Sequence, residues 1–83
     1  MVGGVFKLLD GQGIPLQVIL QYFKDKNLVV DWEDLFKEVV SHGWNLGGFL
    51  TRVEESLGEI YGPRGKDPYM EKIVLLSVSK PIN

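Results

Sequence analysis

The sequence predicts an all-α domain: a small orthogonal bundle of three to four short helices around a central αα-hairpin. Three observations carry this expectation. Apolar residues recur at helical spacing in three stretches of the 83 residues. Residues that start and stop helices bracket those stretches. The one β-like run, Ile73-Val74-Leu75-Leu76-Ser77-Val78, has only Val5–Leu9 and Glu59–Tyr61 as clear candidates for a pairing strand.

The hairpin runs from Val29 to Ile60 and turns at His42-Gly43-Trp44-Asn45. Asp31 is placed to cap the first helix, with Glu33 and Asp34 at the positive end of its dipole. Asp34 stands where a capping box puts its acid, and Val30 and Leu35 have staple spacing. Trp32, Leu35, Phe36, Val39 and Val40 form one stripe. Gly43 supplies a left-handed stop, and Trp44 can fold back on Val39. Asn45 caps the second helix, for which Trp44 and Phe49 form the staple. Its stripe is Leu46, Phe49, Leu50, Val53, Leu57 and Ile60. Gly47 and Gly48 weaken its first turn, and Arg52 can pair with Glu55.

The remaining elements follow the same logic. Residues 1–13 are Gly-rich; Val5–Leu9 reads as a helical turn or strand, and Asp10-Gly11-Gln12-Gly13 as a loop. Those glycines lack the spacing and the Lys of a phosphate-binding loop. Pro15 opens a helix to about Lys26, with Leu16, Ile19, Leu20 and Phe23 on one face and Asn27 closing it. Leu28-Val29-Val30 is an extended link. Residues 62–67 are a turn-rich connector. Asp67-Pro68 then argues for a helix through about Ser79, and the β-branched run argues for a strand. Helix is the expectation. The strand gives the alternative fold, an α+β winged-helix-like domain.

Composition bounds the function. One domain, 1–83, is near the lower size at which a chain folds alone. A net charge of −2 gives no electrostatic reason to expect nucleic acid. Without cysteine there is no disulfide or thiolate metal site. The longest apolar run, Ile73–Leu76, is far short of a membrane span. Residues 1–9 carry no signal-like apolar core, so a cytoplasmic location is expected.

Chemistry-bearing residues are sparse. His42, the one histidine, has Glu38 one turn before it, but no third metal ligand is placed. The adjacent carboxylates Glu33-Asp34 and Glu54-Glu55 diverge around a helix and do not converge on a substrate. Ser41, Thr51 and Ser56 lack a nucleophile context. We therefore expect no enzyme, no cofactor and no metal. Apolar residues exceed what so small an interior can cover, most of all in the C-terminal segment. The expected function is a non-enzymatic protein-interaction or adaptor domain. It would meet another protein or a second copy of itself through Tyr61, Tyr69, Ile73, Leu76 and Val78. The alternative is a helix-turn-helix DNA binder contacting DNA through Arg52, Arg64 and Lys66, against which Glu54, Glu55 and Glu59 weigh electrostatically.

Overall fold

The helices Trp32–Ser41 and Leu46–Tyr61 begin at side-chain caps, and Leu16–Asp25 and Trp32–Ser41 end at residues with left-handed backbone. The structure, a computed structural model, describes residues 1–78. In chain order it has a π-helical turn at Lys7–Gly11, α1 (Leu16–Asp25), α2 (Trp32–Ser41), α3 (Leu46–Tyr61) and α4 (Asp67–Val78). No strand occurs among the described residues, and Val2 and Val30 form an isolated parallel bridge. The C-terminal segment is a helix, so the winged alternative is overturned. Its expected end at Ser79 lies outside the described residues.

Helix ends set the reversals. Asn27 takes the left-handed backbone (φ 56°) after α1, and Leu28 N–H donates to the Phe23 carbonyl (2.8 Å). Asn27 N–H donates to Lys24 (3.2 Å), completing a Schellman ending. After α2, Gly43 (φ 80°) plays the same part: Trp44 N–H donates to Val39 and Gly43 N–H to Val40, each at 3.0 Å. Asn45 Oδ1 then accepts from Gly48 N–H (2.8 Å), so α3 is capped two residues after the stop. A Cβ at position 47 would stand only 3.3 Å from that oxygen, which gives glycine a steric reason to open this helix.

Asp31 Oδ1 accepts from Asp34 N–H (3.2 Å), the expected cap of α2. The reciprocal half of a capping box is replaced. Asp31 N–H donates to the Val2 carbonyl (3.0 Å), and the Asp34 carboxylate accepts from Gly4 N–H (3.2 Å). The N-terminal strap thus supplies what the box would have closed internally. It ends in the Lys7–Gly11 turn, where Gln12 N–H donates to Lys7 (3.0 Å), so Asp10 and Gly11 belong to that turn rather than to a loop. Val5, Phe6 and Leu9 face inward from it.

α1 packs chiefly on α3, and α2 lies against both α3 and α4. Leu35, Val39 and Val53 are fully enclosed. The Trp44 ring meets Phe6 edge-on (centroids 4.9 Å apart) and Phe49 (6.2 Å), with Phe36 beyond Phe49 at 6.4 Å. The indole therefore bridges the N-terminal turn and α3, and Phe49 carries the contact on to Phe36 of α2. α4 is held differently. Gly65 in the connector sits where any Cβ would collide with the Tyr61 carbonyl. Lys66 Nζ donates to Glu54 of α3 (3.0 Å) and to Asp67 (3.4 Å). The proposed Arg52–Glu55 pair does not form; among the described residues the ion pairs are those of Lys66.

Truncating the most enclosed side chain, Leu35→Ala, is expected to cost about 2–5 kcal/mol. Forcing a Cβ into the left-handed turn with Gly43→Ala is expected to cost about 1–2 kcal/mol. Urea unfolding followed by far-UV circular dichroism measures both. A Gly43→Ala protein as stable as the wild type would contradict this account of the reversal.

Candidate functional site

Between the C-terminal end of α1, the link into α2 and the first half of α4 the surface opens into a cleft of about 450 Å³. Its existence follows from the packing. α1 is drawn onto α3 and α4 onto α2, so no helix covers the seam between α1 and α4. Phe23, Leu57 and Ile73 form the floor, and Trp32, Tyr61 and Tyr69 the aromatic walls. Met1, Leu28 and Val29 line the mouth and are themselves exposed. A second hollow of about 260 Å³ continues along the α2–α4 seam past Phe36 and Val40, sharing Glu33 and Leu76 with the first.

Polar groups sit on the rim. Lys24 Nζ lies 5.5 Å from the centroid of the Tyr61 ring, within cation–π range. Lys72 stands on the α4 side, and Asp31 and Glu33 on the α2 side. The Tyr61 and Tyr69 rings stack at 4.4 Å, tilted by 25°. Partial burial in this wall, and then the neighbouring Tyr69 phenol, push the Tyr61 hydroxyl above the usual tyrosine range.

Four of the five residues named for a protein interface line this cleft: Tyr61, Tyr69, Ile73 and Leu76. They do not form one exposed patch. Ile73 is buried in the floor, Tyr61 and Leu76 are half-buried, and Tyr69 is 45% exposed. Val78, 69% exposed, points away from the cleft lining. Sequence reasoning missed Trp32 as a wall and Leu28 and Val29 as the mouth. The available signal was two adjacent apolar residues in a link with no strand to pair them. Val74 and Leu75, inside the expected C-terminal contact segment Tyr69–Val78 but not singled out in it, are exposed on the outside of α4.

The residues named for DNA are scattered. Arg52 is exposed on α3 and Arg64 in the connector, but Lys66 is committed to Glu54 and Asp67. Its ammonium is held above the ordinary lysine range, first by the Glu54 hydrogen bond and against a smaller desolvation. His42 Nδ1 lies 2.9 Å from the Glu38 backbone carbonyl, and its ring packs 4.4 Å from Phe6, so it is turned to the helix end rather than to the Glu38 carboxylate. Among the described residues no group of three His, Cys, Asp or Glu side chains could hold a metal ion. No helix of the described residues is long and apolar enough to cross a membrane.

The raised Tyr61 pKa has a signed consequence. Below about pH 10, the ordinary tyrosine value, the phenol is neutral in both folded and unfolded chains. As pH rises further the unfolded chain loses that proton first, so stability falls through the folded-state pKa. Urea midpoints measured between pH 8 and 11 are expected to drop on the alkaline side. In Tyr61→Phe the drop is expected to be shallower; an unchanged slope would contradict the placement of this phenol.

Compared with family models, with curated proteins and with solved structures, the chain matches none.

Proposed function

We propose that the protein is a small non-enzymatic interaction domain that binds another protein through the cleft beside α4. The observation that carries this reading is the make-up of the cleft mouth: Met1, Leu28, Val29 and Tyr69 stay exposed around an aromatic-walled hollow. Apolar side chains clustered in this way leave water only when something covers them, and an exposed contiguous patch is the usual mark of an interface. The aromatic walls suit that role, because large rigid rings give contact area at small cost in conformational entropy. The rim carries two lysines and two acids, Lys24 and Lys72 against Asp31 and Glu33, which gives no dominant charge and favours a partner that is mainly apolar at the point of contact.

DNA binding is the weaker reading. A winged domain needs strands, none of which occurs among the described residues. Of the three basic residues that could reach phosphate, Lys66 is already paired.

Site-specific photo-crosslinking tests the proposal. A benzophenone side chain in place of Val29, at the mouth, is compared with one in place of Val18, which has similar exposure on α1 outside the cleft lining. In cells producing the chain, the Val29 position is expected to give a discrete protein adduct that Tyr69→Glu reduces at least tenfold, and the Val18 position none. Equal labelling from both positions, or adducts from neither, would overturn the reading. A complex with random duplex DNA that weakens steeply with salt would shift it to the alternative.

A further inference from the structure

The link between α1 and α2 carries an open backbone edge. Val2 bridges Val30 in parallel: Val2 N–H donates to the Val29 carbonyl (2.7 Å), and Asp31 N–H donates to the Val2 carbonyl (3.0 Å). The N-terminal strap therefore takes the groups of residues 29 and 31. Along an extended chain these groups alternate in direction, so the N–H and C=O of Val30 and the C=O of Leu28 point away from the strap. None of the three has a backbone partner among the described residues. The side-chain acceptors nearby, Asp31 Oδ1 and Asp34 Oδ2, take the amides of Asp34 and Gly4 instead.

Leu28, Val29 and Val30 all line the cleft. Val30 does so while only 5% exposed and part of the core cluster. Its side chain belongs to the interior, so what it presents to the cleft is main chain. Buried backbone groups are paired as a rule, and an unpaired extended edge is a template for another strand.

We infer that the cleft takes an extended peptide segment of the partner protein, added to the Leu28–Asp31 link on the edge opposite the strap. The inference rests on the protein-binding reading of the cleft and names the chemistry of what enters it. An added strand can give N–H donors to the Leu28 and Val30 carbonyls and a carbonyl to the Val30 N–H. A helix cannot, because its backbone groups are bonded within itself. The Val2 bridge holds the link extended before the peptide arrives, which lowers the ordering cost of binding. Side chains of an added strand alternate between two faces. Those turned inward meet the floor of Phe23, Leu57 and Ile73, and those turned outward meet solvent and a rim of balanced charge. The fitting segment is therefore apolar at every second position and polar, without strong net charge, between. Main-chain bonds hold it, and the aromatic hollow selects the inward residue.

Hydrogen exchange and peptide selection test this. In the free chain the Val30 amide is expected to exchange at least tenfold faster than the Asp31 amide, which is bonded to Val2. A library of random linear dodecapeptides is then panned against the full chain, and the selected sequences are titrated as free peptides. The best are expected to alternate apolar and polar residues and to slow Val30 exchange at least tenfold. Replacing one of their backbone amides by an ester is expected to weaken them at least tenfold, as is Tyr69→Glu in a protein whose far-UV spectrum is unchanged. A protected Val30 amide in the free chain, a library without cleft binders, or binders that are helical or indifferent to every ester each overturn the inference. Where such a result is accompanied by a Val29 photo-adduct with a different protein, strand addition is wrong and the interaction reading stands. Where no adduct forms either, both fall.

Discussion

The structure hangs on an aromatic contact at the reversal between α2 and α3, where the Trp44 indole lies between Phe6 and Phe49. Two amphipathic helices can share an interior only if the chain turns back between them. The turn must also avoid leaving buried backbone amides and carbonyls unpaired. Here the Schellman hydrogen bonds and the Asn45 cap satisfy those groups within four residues. Trp44 sits between the two motifs, so the geometry that closes one helix and opens the next also aims the indole inward. Phe6 then brings the N-terminal turn onto the same spot, which ties the start of the chain to its middle.

That arrangement explains why α4 differs from the other helices. The interior centres on Leu35, Val39 and Val53, which come from α2 and α3. α4 arrives last and buries little beyond Ile73 and Ser77. Its position is fixed largely from its N-terminal end. The glycine at 65 lets the connector pass against the Tyr61 carbonyl, and Lys66 reaches back to Glu54. A helix anchored at one end and seated on a narrow strip leaves a gap on its free flank, and the cleft is that gap.

Much of the fold was legible in the sequence because its signals are local. Caps, stops and stripes depend on residues within one turn of each other, so Asp31, Gly43, Asn45 and Asn27 could be read without a partner in view. What needed coordinates was non-local. The acid at position 34 looks like half of a capping box, but a glycine amide thirty residues upstream takes its carboxylate. The interface set shows the same limit. Ile73 and Val78 are five residues apart, which on a helix turning about 100° per residue places them some 140° apart. They cannot share a face, and composition alone gives no rule for choosing the inner one. Where a helix is polar on one side, the sequence states its orientation. Where it is apolar all round, only the packing of its neighbours decides, and that is why Leu75 went unnamed.

The same ambiguity bears on function. A helix with one apolar stripe serves the core, and its solvent side is indifferent to its neighbours. α4 carries a second stripe of the same period on its far side, interrupted by the single charge of Glu71. The inner stripe already meets the needs of the fold, since Ile73 and Ser77 are buried and Met70 and Leu76 pack against the core. Val74, Leu75 and Val78 therefore lie outside the inner packing and stay exposed. The interaction reading proposed above rests on exposed apolar groups around the open aromatic cleft, since such groups leave water only when something covers them.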